Sequence, residues 1–140
     1  MGSGKSGLYK NTHGASSLSK NLTPDLKKDY NFHNGFFGVP GKSDRNNKNA
    51  EVRNIFSSNN QATAKDFYTR ISNGGQEFSF PMNRAGVSNG VKCKMSDGYW
   101  VSYRQTSKSD GTPVVQISII GKDSSGQIKK QKIHFVQKEK

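Results

Sequence analysis

With 140 residues, 30% of them hydrophobic, the chain has material for one modest domain and too little for two, its core resting largely on eight Phe and five Tyr. Lys and Arg number 22 against 10 Asp and Glu, and a net charge of +12 attracts nucleic acid, an anionic membrane or a strongly acidic protein. A single cysteine excludes a disulfide framework within the chain and a Cys-ligated zinc site, and no stretch approaches the ~20 apolar residues of a membrane span.

Residues 1–24 are rich in Gly, Ser, Asn and Lys, a composition that cannot offset its ordering entropy by burial. They read as a flexible basic arm ahead of one domain at 25–140. The N-terminus has no hydrophobic signal-peptide core, which leaves room for the chain to be one piece of a longer exported protein. Gly4-Lys5-Ser6 imitates the end of a phosphate-binding loop, but the motif's first glycine and preceding strand have no residues to occupy. Thr23 as N-cap and Pro24 at the first helical position predict two helical turns over 24–30. The segment 31–38 then breaks helix while offering Phe32, Phe36 and Phe37 to the core, and 41–49, which has no apolar residue, reads as an exposed loop.

Val52, Ile55 and Phe56 lie on one side of a helical projection, so 50–56 reads as another helical turn or two. The clearest helix is 63–72. Thr63 with Asp66 resembles a capping box, Ala64, Phe67, Tyr68 and Ile71 fall at i, i+3, i+4 and i+7, and Asn73-Gly74-Gly75 stops it.

From Gly90 the period changes from 3.6 to 2, the mark of strands with one buried and one solvated face. Val91, Cys93 and Met95 alternate with Lys92 and Lys94, which makes Cys93 a buried small hydrophobe. After an Asp97-Gly98 hairpin turn, Tyr99, Val101 and Tyr103 alternate with Trp100, Ser102 and Arg104. A polar loop at 107–111 leads past Pro113 to Val115, Ile117 and Ile119, alternating with Gln116 and Ser118. Beyond a turn at Ser124-Ser125-Gly126, Ile133 and Phe135 oppose Lys132, His134 and Val136. The expected fold is α+β, with N-terminal helices packed on the apolar side of a four-stranded antiparallel sheet.

Alternation puts Lys92, Lys94, Trp100, Ser102, Arg104, Gln116, Ser118, Lys132 and His134 on the face away from the helices. Cations supply phosphate affinity and an exposed Trp stacks a splayed base, a combination that suits RNA or single strands. Metal-free RNA cleavage needs a base for the 2′-hydroxyl, a proton donor for the leaving oxygen and cations for the charge between them. His134 is the one group on this face that titrates near neutrality and is the candidate acid or base. Arg104 and Lys108 are candidate charge stabilisers, and Thr106, Ser107 and Ser109 candidate donors to phosphate. His33 is a candidate partner for His134, and His13, in the arm, is read as inert. Ten scattered carboxylates argue against a two-metal nuclease, so no metal or cofactor is expected. A Ser/His/Asp hydrolase lacks its G-x-S-x-G elbow.

Several separated words, Arg53-Asn54-Ile55-Phe56-Ser57, Ala62-Thr63-Ala64-Lys65-Asp66-Phe67-Tyr68, Tyr103-Arg104, Ser109-Asp110-Gly111-Thr112-Pro113 and Lys132-Ile133-His134-Phe135-Val136, occur in order over 53–136. In these the chain resembles the C-terminal toxin domains of LXG-type bacterial polymorphic toxins. The resemblance implies a secreted antibacterial nuclease of barnase/EndoU/colicin/RelE-like fold. It would act in the cytoplasm of a target bacterium, bind nucleic acid on the open sheet face and be held in check by an acidic immunity protein. A carboxylate tends to stand in that family where this chain has Gln116, which makes Gln116 a further site candidate. The reading is an endoribonuclease toxin, with a DNA endonuclease toxin or a non-catalytic nucleic-acid-binding module as alternatives.

Overall fold

Two-residue alternation organises the molecule more widely than the sequence suggests. The computed structural model describes residues 16–41, 51–79, 90–105, 111–119 and 128–138. In chain order these form α1 (Leu18–Asn21), α2 (Pro24–Asp29), β1 (Val39–Pro40), β2 (Glu51–Ser57), α3 (Asn60–Ile71), β3 (Gln76–Ser79), β4 (Gly90–Lys94), β5 (Tyr99–Arg104), β6 (Val114–Ile119) and β7 (Gln131–Gln137). The strands make one sheet in the order β1-β2-β7-β6-β5-β4-β3, with β2 parallel to β7 and every other pair antiparallel. This overturns the expected helices on a four-stranded antiparallel sheet: the protein is mostly β, a seven-stranded mixed sheet with three short helices.

The four strands read from the sequence are present as β4 to β7, and three more extend them on both sides. The segment read as helix at 50–56 is β2. Val52, Ile55 and Phe56 fit either period, and the edge of β7 decides between them. Seven consecutive pairs, from Glu51 opposite Gln131 to Ser57 opposite Gln137, satisfy backbone groups that an open β7 edge would leave exposed. β3 adds Gln76–Ser79 to β4 and forms the far edge.

α3 starts earlier than expected. Asn59, not Thr63, is its cap, with the Asn59 side chain accepting the Ala62 N–H at 3.2 Å. Thr63 instead bonds to the Ser57 hydroxyl, and Asp66 accepts the Tyr30 hydroxyl. Ala64, Phe67, Tyr68 and Ile71 face the sheet as their spacing requires. In α2 Thr23 caps by accepting the Leu26 N–H, with Pro24 at the first position. Of the segment expected to be an arm, the described part is packed on the domain. The Asp97 carboxylate accepts the Leu18 and Ser19 N–H groups at the start of α1, and Leu18 and Leu22 are buried in the core. Asp97 thus serves α1 as well as the β4–β5 turn, where Gly98 takes φ +91°.

The core lies between α1 to α3 and one sheet face. Phe67 is its centre, with ring centroids 4.9 Å from Tyr30, 4.8 Å from Phe37 and 5.6 Å from Phe135. Cys93, Val101, Val115, Ile117 and Ile133 complete the sheet side. Two polar side chains on this face tie down the 35–38 loop. The fully buried Gln131 amide accepts the Phe37 N–H and donates to the Gly35 and Lys129 carbonyls, each at 2.8 Å. The Arg53 guanidinium donates to the Phe37 and Gly38 carbonyls and pairs with Glu51. Gly38, at φ +72°, runs so close to β2 that a Cβ there would stand 2.2 Å from the Asn54 carbonyl oxygen. Among the described residues no helix is long and apolar enough to cross a membrane.

Candidate functional site

Residues opposite each other in a ladder project to the same side, so the register assigns the open face directly. One row across the sheet is Arg104, Val114, His134, Asn54. The next is Phe78, Lys92, Ser102, Gln116, Lys132, Val52, and the third is Gln76, Lys94, Trp100, Ser118. All nine open-face positions named from alternation in β4 to β7 are in these rows. Arg104 and His134 are separated by one strand, a Cα spacing of about 10 Å.

Exposure is uneven across the rows. Lys94 and Arg104 are exposed, and Lys92, Trp100, Ser102, Gln116, Ser118 and Lys132 are partly buried. His134 is only 7% exposed and its ladder neighbour Val114 2%. The chain just before β6 comes alongside β7, where the Phe135 N–H donates to the Pro113 carbonyl at 2.9 Å. There the Thr112 hydroxyl meets His134 Nδ1, also at 2.9 Å. That bond ties the ring to the segment leading into β6. Lys108, Thr106, Ser107 and Ser109 lie outside the described residues, as does His13. His33 does not join His134. It bridges to Phe36 in the loop that Gln131 holds against the helix side.

Charge is segregated between the faces. Of the described carboxylates, Asp25, Asp29 and Asp66 are on helices, Glu51 and Glu77 project from odd positions toward the helix side, and Asp97 caps α1. Among the described residues none projects from the open face, which carries Lys92, Lys94, Arg104 and Lys132. Nor do three His, Cys, Asp or Glu side chains come together there as metal ligands would. On the helix side, burial and then the Glu77 charge push the Cys93 thiol up to about 11, so it stays a protonated hydrophobe. Burial and a hydrogen bond to Glu77 likewise raise the Tyr68 hydroxyl, and burial raises Tyr103.

No family model, curated sequence or solved structure matches the chain.

Four open-face contributors were not singled out from the sequence. Asn54 comes from β2, and finding it required the parallel pairing. Thr112 is placed by the approach to β6. Phe78 comes from the short edge strand β3, whose four residues are all exposed and give no alternation to read. Val114 lies between Arg104 and His134 in the first row, a position that the register of β6 with β5 and β7 sets.

Proposed function

We propose that this chain is a nucleic-acid-directed toxin domain and acts as an endoribonuclease on the open face of its sheet. The observation that supports the reading best is the first two ladder rows. They set Arg104 and His134 one strand apart beside Lys132 and Gln116, with no described carboxylate among them. Phosphate binds the cations by charge and the Gln116 amide by hydrogen bonding. His134 Nε2 takes the 2′-hydroxyl proton while the 2′ oxygen bonds to phosphorus. The phosphorus–5′ oxygen bond breaks, and the 5′ oxygen receives a proton returned through the imidazole or water. Arg104 faces the negative charge that builds on the non-bridging oxygens. The products are a 2′,3′-cyclic phosphate and a 5′-hydroxyl, and hydrolysis opens the former to a 3′-phosphate. No metal or cofactor enters this scheme.

The wider reading is that of the toxin domains the sequence resembles. The chain is delivered as part of a secreted effector, acts in the cytoplasm of a target bacterium and is neutralised in the producer by an acidic immunity protein that covers the same cations.

The test is digestion of total RNA with a chelator present, comparing wild type with His134→Ala and Arg104→Ala. Shortened RNA with cyclic or 3′-phosphate ends, lost in both variants, supports the reading. Intact RNA with wild type removes it, and plasmid cleavage only with added Mg²⁺ turns the enzyme into a DNase. The 7% exposure of His134 favours a second reading, a non-catalytic binding module. That module gives steeply salt-dependent binding to RNA whose length never changes.

A further inference from the structure

At the β3 end of the open face, well away from His134, two aromatic side chains and a lysine meet. Trp100 on β5 leans across β4 so that its ring lies 5.9 Å from the Phe78 ring on β3, centroid to centroid, at an interplanar angle of 38°. The Lys92 ammonium on the intervening strand stands 5.3 Å from the Trp100 ring centre. Phe78 is 39% exposed and Trp100 is partly exposed, so apolar ring surface remains in water beside the ammonium groups of Lys92 and Lys94. Such surface gains by being covered, and the occupant has to match its surroundings. Lys92 and Lys94 flank the rings, while the carboxylate nearest in sequence, Glu77, faces the other side and is held by the Tyr68 hydroxyl at 2.8 Å. A flat apolar group carried on a polyanion satisfies both conditions.

We infer that Phe78, Trp100 and Lys92 form a base-stacking subsite for single-stranded RNA, distant from the cleavage point and setting which strands are held. This rests on the reading of the open face as the RNA surface and adds to it where a base is gripped. Trp100 and Arg104 are four residues apart on the same side of β5, about 13 Å. The second row, Lys92, Ser102, Gln116, Lys132, runs from this subsite to β7. A strand with one base on Trp100 therefore continues over these polar side chains toward Arg104 and His134. A duplex, whose bases are already stacked on each other, has no face to offer the rings, so the subsite selects unpaired RNA.

Trp100 is the chain's single tryptophan, so its emission reports the subsite alone. The probe is a 2′-O-methyl oligoribonucleotide of about ten residues, within the length range such surfaces hold, which the proposed 2′-hydroxyl attack cannot cut. An abasic oligomer of equal length and charge serves as control. With wild type, the base-bearing oligomer quenches Trp100 and binds more tightly than the abasic one, on the order of 5- to 100-fold. Phe78→Ala and Trp100→Ala narrow that gap, and Trp100→Phe retains most of it. Equal affinity of the two oligomers for wild type overturns the subsite, as does a gap that both alanine variants leave intact. The first comparison uses no variant, so a folding failure cannot blur it. If total RNA is still shortened under those outcomes, the nuclease reading stands without this subsite. If the subsite stacks bases but RNA is never shortened, the catalytic reading falls and the subsite remains.

Discussion

The two faces of one sheet are built from interleaved residues of the same strands, yet they solve opposite problems. Toward the helices, Cys93, Val101, Val115, Ile117, Ile133 and Phe135 are buried, and the polar groups among them are bonded, as Gln131 is on both ends of its amide. On the other side the same strands carry cations, hydroxyls, an amide and aromatic rings, and only His134 and Val114 in the Arg104 row, with Val52 at the end of the next, are buried. The difference teaches that the face holding the molecule together and the face available to a partner are nearly independent, so substitutions should separate into two classes.

The largest expected effect is on the packed face. Phe67→Ala should cost about 3–5 kcal/mol, since it removes the ring on which three other aromatic rings pack. Urea unfolding reads it, and a loss under 1 kcal/mol would show that the core is not where the ring contacts put it. Gln131→Leu comes next at about 2–3 kcal/mol, because the Phe37 N–H and the Gly35 and Lys129 carbonyls lose their partner. Hydrogen exchange at Phe37 should rise in the same variant. Alkali gives a smaller effect. The Cys93 thiol is raised from an ordinary 9.0 to about 11, and Tyr68 and Tyr103 move the same way, so the folded state holds protons that the unfolded chain releases. Stability is therefore complete below about pH 9 and declines as pH rises toward 11. Melting temperature followed across that window should fall, less steeply at its start in Cys93→Ala. Lys94→Ala, on the open face, should shift stability by no more than about 0.5 kcal/mol. On the proposed reading, the same change flattens the salt dependence of RNA binding by about one unit of slope. An open-face lysine whose loss unfolded the protein would break the division between faces.

How much of this could be read from the chain follows from which interactions are local. β4 to β7 were legible because each carries its own alternation, and Asp97-Gly98 marks the turn between two of them. The faces of Arg104 and His134 followed from the same pattern. β2 was not legible. Its apolar residues suit a helix as well as a strand, and the choice is made by β7, 80 residues further on. β1 has two residues and β3 four, too few to show a period. The docking of Leu18 and Leu22 was hidden by polar neighbours and depends on Asp97 reaching back to cap α1. For the candidate site, direction was legible and depth was not. Alternation puts His134 on the open side, but its burial depends on Val114 beside it and on Thr112, which the chain carries there just before β6.

The position of β7 has a consequence for how the molecule comes into being. This strand is made after the other described strands and sits between β2 and β6, so during translation β2 has only the two-residue β1 beside it and the meander lacks its inner boundary. Pairings of such long sequence separation form late and slowly. A nascent chain halted before Gln131 lacks His134 and Lys132 together with the strand that joins the two parts of the sheet. On the proposed reading, a ribosome making this polypeptide is exposed to no competent ribonuclease until β7 has left the exit tunnel.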